Sequence, residues 1–153
     1  MRRLYDALAA CDGEAMAACY TPDATFSDPV FPALRGDEVG AMWRMLCARA
    51  QDLSVDLRDV RQDGTTASAT WTARYLFAAT GRRVVNIGQA SLVLRDGRIA
   101  AHVDEWDFAA WAAQALGWKG KLLGRTRFLR RKVQQDAARR LASFSIKGAE
   151  GRR

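Results

Sequence analysis

The hydrophobic positions of the first 50 residues have the spacing of short helices, interrupted by one extended segment. We predict helices over residues 3–10, 15–20 and 36–50, with a short extended piece over 24–28 before the prolines. The third helix carries its apolar residues on one face, at Val39, Met42, Trp43, Leu46 and Cys47. An amphipathic helix of this kind needs a second layer against which to bury that face.

From residue 53 the apolar period falls to two, which is typical of β-strands with one buried face. We predict strands beginning near residues 53, 67, 83 and 98, separated by turns at Asp63-Gly64, Thr80-Gly81 and Asp96-Gly97. Asp107 is suited to cap a last helix that ends near Gly117. Helices followed by a four-stranded antiparallel meander predict an α+β fold.

Composition limits the chain to one globular domain and excludes several classes of site. The chain has 153 residues, 49% of them hydrophobic, which is enough for a core, yet no apolar run is long enough to span a bilayer. We find no secretory signal, and the three cysteines lack metal-ligand spacing, so we expect a cytoplasmic protein. With His102 as its single histidine, the chain has no multi-histidine metal centre, and we expect neither metal nor organic cofactor.

The net charge of +7 is concentrated at the C-terminal end of the chain. Residues 1–118 carry 12 Lys and Arg against 15 Asp and Glu, whereas residues 119–153 carry 12 against 2. We therefore divide the chain into a body (1–118), a basic amphipathic helix (119–147) and a disordered tail (148–153). The helix has an apolar stripe of Leu122, Leu129, Val133, Ala137, Leu141 and Phe144.

Three interpretations of this basic helix remain open. We expect an ordered helix over about residues 121–145, docked on its own body or on a dimer mate, with weak binding to anionic vesicles. Contact with an anionic membrane is the first alternative. Contact with nucleic acid is the least expected, because the helix nearly lacks aromatic side chains for stacking.

Two segments of the body carry a family resemblance. The first is Tyr20-Thr-Pro-Asp-Ala-Thr-Phe-Ser-Asp28-Pro29, and the second is Asp96-Gly97-Arg98-Ile99 with the acidic and aromatic strand end after it. Over residues 3–117 the chain resembles the nuclear transport factor 2-like superfamily, most closely its SnoaL-like branch. The resemblance implies a cone-shaped curved antiparallel sheet wrapped around N-terminal helices, an apolar cavity, and pairing of two copies as a homodimer. The C-terminal helix is extra to this fold.

The resemblance also implies candidate catalytic residues. Asp28 falls on the general base of ketosteroid isomerases, but Leu4 and Ala90 stand where those enzymes place the two donors that stabilise an enolate. We therefore do not expect ketosteroid isomerisation. His102 and Asp104 match positions that point into the cone, so Asp28, His102 and Asp104 are the predicted catalytic group. The predicted ligand contacts are Tyr20, Trp43, Trp71, Tyr75, Phe77 and Trp106.

Two functions are compatible with this pattern. The first is a cofactor-independent isomerase, cyclase or dehydratase that performs proton transfer on a small apolar molecule of polyketide, steroid or terpenoid size. The second is a non-catalytic ligand-binding or scaffolding module, with membrane association through the basic helix as one variant. An open cavity with two titratable groups in hydrogen-bond reach favours the enzyme.

Overall fold

The structure is a computed structural model that describes the backbone of residues 1–150 and the side chains of residues 1–146. Of the predicted disordered tail, 148–150 are the last residues of the C-terminal helix, and 151–153 lie outside the described residues. In chain order the elements are α1 (Arg2–Ala9), α2 (Gly13–Ala17), β1 (Tyr20–Ser27), β2 (Leu34–Arg35), α3 (Asp37–Arg49), β3 (Ser54–Asp63), β4 (Thr66–Phe77), β5 (Arg82–Arg95), β6 (Arg98–Trp106), α4 (Phe108–Ala115), α5 (Trp118–Leu123) and α6 (Arg127–Glu150).

The strands form one curved, unclosed six-stranded sheet in the order β2-β1-β6-β5-β4-β3. This confirms the α+β cone, with two corrections. The sheet has six strands and not four, and β1 runs parallel to β6 while the other neighbours are antiparallel. The predicted second helix is also too long: α2 ends at Ala17, because Tyr20 already pairs with Ile99 as the start of β1.

The core lies between the concave face of the sheet and helices α1 and α3. Alternate residues of β5 are buried from Val84 to Leu92, which shows that one face of this strand packs inward along its length. Ala90 and Leu92 share a buried cluster with α3, whereas Val84 packs in a second cluster with α4. Burial of this alternating set fixes the strand register, because a slip by one residue would expose it.

The basic segment forms two helices where we predicted one over 121–145. Gly120 permits the first, α5, to pack closely on α4, since a Cβ there would lie 1.8 Å from the Ala112 carbonyl oxygen. Helix α6 packs on the body through buried Leu129 and Leu141. Leu122, which we placed in the docked stripe, is 71% exposed, so that part of the prediction is wrong. No helix in the described residues is long and apolar enough to cross a membrane.

Candidate functional site

A chain of buried polar side chains lies at the centre of the cone. The Trp43 indole Nε1–H donates to the Tyr20 hydroxyl at 2.9 Å, and that hydroxyl lies 2.7 Å from His102 Nδ1. His102 is 1% exposed, and the rings of Phe26 and Trp43 contact its imidazole. Desolvation raises the pKa of Tyr20 well above its usual value, so the phenol keeps its proton.

Both ring nitrogens of His102 lie close to polar groups. The Tyr20 hydroxyl, which accepts from Trp43, keeps one proton and one lone pair for His102 Nδ1. On the other side of the ring, His102 Nε2 lies 3.0 Å from Asp104 Oδ1. His102 therefore connects Tyr20 with Asp104 at the centre of the cone.

Trp71 reaches Asp104 across an intervening strand. Its indole Nε1–H donates to Asp104 Oδ1 at 3.0 Å, although Trp71 lies on β4 and Asp104 on β6. Gly88 of β5 lies between them, and a Cβ there would be 2.4 Å from Trp71 Cζ2. The glycine therefore provides the room for the indole to cross β5 and hold the carboxylate.

Tyr5 of α1 is a buried donor without a partner among the described residues. Its hydroxyl has no hydrogen bond there, and the side chain is 7% exposed. Desolvation, reinforced by the charge of Asp104, raises the pKa of Tyr5 above its usual value. Buried donors of this kind are uncommon in folded proteins.

The strand register brings Asp28 beside this group. In the parallel pairing of β1 with β6, Phe26 lies opposite His102 and Ser27 opposite Val103. Strand β1 ends at Ser27, and Asp28 is the next residue, at the start of the turn. The charge of Asp104 acts on the Asp28 carboxyl group, which places the two side chains in the same region of the cone.

The Asp28 carboxyl group is fixed by the turn that follows β1. Its Oδ1 accepts from the backbone N–H groups of Val30 at 2.7 Å and Phe31 at 2.5 Å. Both of these bonds end on Oδ1, so Oδ2 is free of backbone donors. The side chain is half-buried and also accepts a hydrogen bond from Trp106.

Burial raises the pKa of Asp28 to about 6. Hydrogen bonds from Phe31, Val30 and Trp106 oppose this rise, while the charge of Asp104 adds to it. A carboxyl group with a pKa close to neutral can accept and return a proton near physiological pH. Asp28 therefore has the properties of a general base or acid.

Aromatic side chains surround Asp28 on the α4 side of the cone. The Trp111 indole N–H donates to the Tyr75 hydroxyl at 2.9 Å, and burial together with the charge of Asp28 raises the pKa of Tyr75. Phe77 packs edge-on against Trp111, so it lies in the second core cluster, apart from His102. This gives an apolar rim around one ionisable group.

The structure places Asp28, His102 and Asp104 in the same region of the cone. The side chains predicted to contact a ligand pack against one another there and occupy the space predicted for the ligand. Tyr20, Trp43 and Trp71 are buried and hydrogen-bonded, while Tyr75, Phe77 and Trp106 are half-buried. Two clefts on the described surface have volumes of about 410 and 350 Å³, and both lie outside the cone. Of the predicted site residues, Tyr20 alone borders one of them.

Two residues of this region were missed by the sequence reasoning. Asn86 is buried on the inward face of β5, and its side chain makes no hydrogen bond in the part of the chain that the structure describes. The alternation of β5 would have identified it as a polar residue at an inward position. An alignment of the first helices without a gap places Leu4 at the position where the family resemblance requires a tyrosine. Tyr5 is the next residue, so it was not selected as a candidate.

The described residues contain no group of three or more His, Cys, Asp or Glu side chains that could hold a metal ion.

Comparison with known proteins agrees with this architecture. A Catenulispora acidiphila protein with a ketosteroid isomerase-like fold, solved with trimethylamine, superposes with a TM-score of 0.67 at 14% identity, over 74% of this chain and 89% of its own. The M. tuberculosis LEH-like epoxide hydrolase gives 0.64 at 20% identity, over 80% and 89%. IdmH of Streptomyces antibioticus, a candidate polyketide cyclase, gives 0.61 at 24% identity, over 74% and 93%.

At these identities the structural likeness establishes the fold alone. No curated protein matches the chain in a sequence search. The sequence model of the SnoaL-like domain family, however, matches residues 1–102, which is two thirds of the chain. The chain therefore belongs to the SnoaL-like domain family, within the nuclear transport factor 2-like superfamily.

Proposed function

We propose that this protein is a cofactor-independent acid–base enzyme that moves a proton on a carbon atom of a small apolar molecule. The observation that carries the proposal is the position of Asp28. Its half-buried carboxyl group has a pKa of about 6, is hydrogen-bonded by Trp106 and is affected by the charge of Asp104, which in turn lies 3.0 Å from His102. Isomerisation, aldol cyclisation and dehydration all begin with such a proton transfer.

The site contains groups suited to each part of that step. Asp28 Oδ2 accepts the proton from a carbon next to a carbonyl group. The electron pair of the broken C–H bond forms the new C=C bond, and the π pair of the C=O bond moves to the carbonyl oxygen. The Tyr5 O–H group, which has no acceptor among the described residues, is suited to donate to the resulting enolate oxygen. It supplies a donor from the first helix, where the family alignment placed Leu4.

A non-catalytic ligand-binding module is the second candidate. The observation that favours it is the packing of the cone interior, where Tyr20, Trp43, Trp71 and His102 are each at most 8% exposed. A ligand would have to displace some of these side chains or occupy the half-buried rim near Trp106. Binding without chemistry would require no proton transfer by Asp28.

Deuterium incorporation tests the proposal without knowledge of the product. The protein is incubated in D₂O with a panel of small aromatic and alicyclic ketones and polyketide-type esters, and exchange at the acidic carbon is followed by NMR. We expect exchange by the wild type and a loss of about 10²–10⁴-fold in Asp28→Asn, the range for a general base. Asp63→Asn, at an exposed position on β3, is the matched control and should keep the wild-type rate. Ligand binding without exchange, or equal exchange in Asp28→Asn, would contradict the proposal.

We also propose that two copies pair through the convex face of the sheet. That face exposes Val85, Ile87, Val93 and Val103, with Ile87 59% exposed. Light scattering after gel filtration should give twice the chain mass of 16.9 kDa. A monomer at micromolar concentration would contradict the pairing.

A further inference from the structure

The bend between α5 and α6 combines exposed apolar side chains with an unbroken run of positive charge. Trp118, Leu122 and Phe128 are each 71% exposed, the highest values among the large exposed hydrophobic residues described. Residues 118–132, which we name the basic bend, contain seven Lys and Arg and no Asp or Glu. All seven are exposed: Lys119, Lys121, Arg125, Arg127, Arg130, Arg131 and Lys132.

Packing of the two helices on the body holds these side chains outward. Helix α5 is fixed against α4 by the close approach at Gly120, and Trp118 and Leu122 are four residues apart, on one side of it. Helix α6 is fixed by buried Leu129, so its neighbour Phe128 faces away from the body. The six residues from Leu122 to Phe128 span at most about 21 Å, so the three apolar side chains share one end of the molecule.

We propose that the basic bend binds the surface of an anionic lipid bilayer, in place of the weak vesicle binding expected when Leu122 was assigned to the docked stripe. Trp118, Leu122 and Phe128 enter the headgroup region, and the surrounding Lys and Arg side chains contact lipid phosphates. An interfacial site of this kind needs apolar side chains flanked by cations, with a tryptophan at the boundary between water and hydrocarbon. The contact is peripheral, because no described helix is long and apolar enough to cross the membrane.

The charge distribution fixes the orientation on the membrane. Residues 1–118 carry three more acidic than basic residues, so an anionic surface repels the body and attracts the basic bend. The docked stripe of α6 is already covered by the body, so the free apolar surface is at the bend and not along the helix.

The apolar residues favour lipid over nucleic acid. Nucleic-acid surfaces pair cations with aromatic rings that stack on bases. Here Leu122 cannot stack on a base, and the ring of Trp118 is already beneath Lys119 Nζ at 5.7 Å. A leucine that is as exposed as the two aromatic residues fits insertion into a lipid layer.

Vesicle flotation with the full chain tests the proposal. Vesicles of phosphatidylcholine alone are compared with vesicles that also contain phosphatidylglycerol, at about 0.15 M ionic strength, where the Debye length is about 8 Å. We expect binding to the mixed vesicles only.

The variant Lys119→Gln/Lys121→Gln/Arg125→Gln should bind on the order of 100-fold more weakly, at roughly fivefold per cation. Arg58→Gln/Arg61→Gln, two exposed cations on β3, is the charge control and should bind as the wild type.

A second variant set isolates the apolar contribution. Leu122→Ser/Phe128→Ser should weaken binding to mixed vesicles by about tenfold or more, because two inserted side chains are lost. Ile146→Ser is the matched control, since Ile146 is 61% exposed on the same helix but about 27 Å from Phe128. Circular dichroism should be unchanged in all of these variants, since every altered side chain is exposed.

Trp118 provides a spectroscopic readout of insertion. It is far more exposed than Trp43, Trp71 and Trp111, so mixed vesicles should shift the wild-type tryptophan emission to shorter wavelength. Trp118→Phe should bind with little change but lose the shift.

The proposal is overturned if the protein does not bind mixed vesicles, or if Leu122→Ser/Phe128→Ser binds them as strongly as the wild type. Salt-sensitive binding of single-stranded RNA without vesicle binding would overturn it in favour of nucleic acid.

Discussion

Replacement of Asp28 by asparagine should make the protein more stable at alkaline pH and leave its stability nearly unchanged in acid. Burial raises the pKa of Asp28 from its ordinary value of 3.8 to about 6. Because the folded pKa lies above that of the unfolded chain, the protonated form favours folding. This contribution is fully present below pH 3.8 and is lost as the pH rises through about 6. Above pH 6 the wild type therefore contains a half-buried ionised carboxylate, which lowers the free energy of unfolding. Asparagine carries no charge and removes this loss.

The size of the effect follows from the pKa difference. About two pKa units, at about 1.4 kcal/mol for each, give about 3 kcal/mol as an upper value. Asp28 is half-buried and solvent screens part of the cost, so we expect Asp28→Asn to raise the free energy of unfolding by about 1–3 kcal/mol at pH 8. The amide oxygen can still accept the backbone N–H groups of Val30 and Phe31, which keeps the turn intact.

Urea unfolding at pH 4 and pH 8 measures this difference directly. Asp63→Asn, which alters an exposed carboxylate, should show no comparable dependence on pH. Asp23→Asn provides the opposite sign: a hydrogen bond from Arg95 lowers the pKa of Asp23, so this variant should lose stability at neutral pH and recover it in acid. Equal destabilisation by Asp28→Asn at both pH values would refute the account of Asp28 as a carboxyl group with a raised pKa.

Four further substitutions test the packing of the fold and of the site. Gly88→Ala places a Cβ 2.4 Å from Trp71 Cζ2, so it should cost about 1–3 kcal/mol of stability and change the near-UV circular dichroism. An unchanged spectrum would contradict a Trp71 side chain that crosses over β5. Leu141→Ala should cost about 2–5 kcal/mol in thermal or urea unfolding, whereas Leu122→Ala should stay within about 0.5 kcal/mol, and equal effects would mean that α6 is not docked. Tyr20→Phe leaves two buried polar partners unpaired and should cost about 1–3 kcal/mol; a neutral result in urea unfolding would argue against the network.

The elements that the sequence predicted well are those with a strong local signal. The alternation of β4 and β5 predicted the hairpin that these two strands form. The Asp96-Gly97 turn predicted the hairpin of β5 and β6, and the single apolar face of residues 39–47 predicted α3. The pairing of β1 with β6 was missed, because it is parallel and joins residues about 80 positions apart. Helix α5 was missed because its close packing depends on Gly120, and glycine reduces the helical signal of a sequence.

The sequence predicted which residue types form the site but not the hydrogen bonds between them. Alternation placed His102, Asp104 and Trp106 on one face, and the structure agrees with that face. The bond from Trp71 to Asp104 depends on the side-chain space above Gly88, which no local pattern reports. The raised pKa of Asp28 depends on burial by distant segments, so it also lies beyond a reading of the sequence alone.

The most direct test of the central claim is a crystal structure of the protein with a small aromatic ketone that it binds. The account predicts the ligand inside the cone, near Trp106, with its acidic carbon within about 3–3.5 Å of Asp28 Oδ2 and its carbonyl oxygen within about 2.6–3.2 Å of the Tyr5 hydroxyl. Some of the aromatic side chains that now fill the interior should be displaced. A ligand bound instead in the surface cleft between Gly36 and Arg44, with the cone interior unchanged, would contradict it.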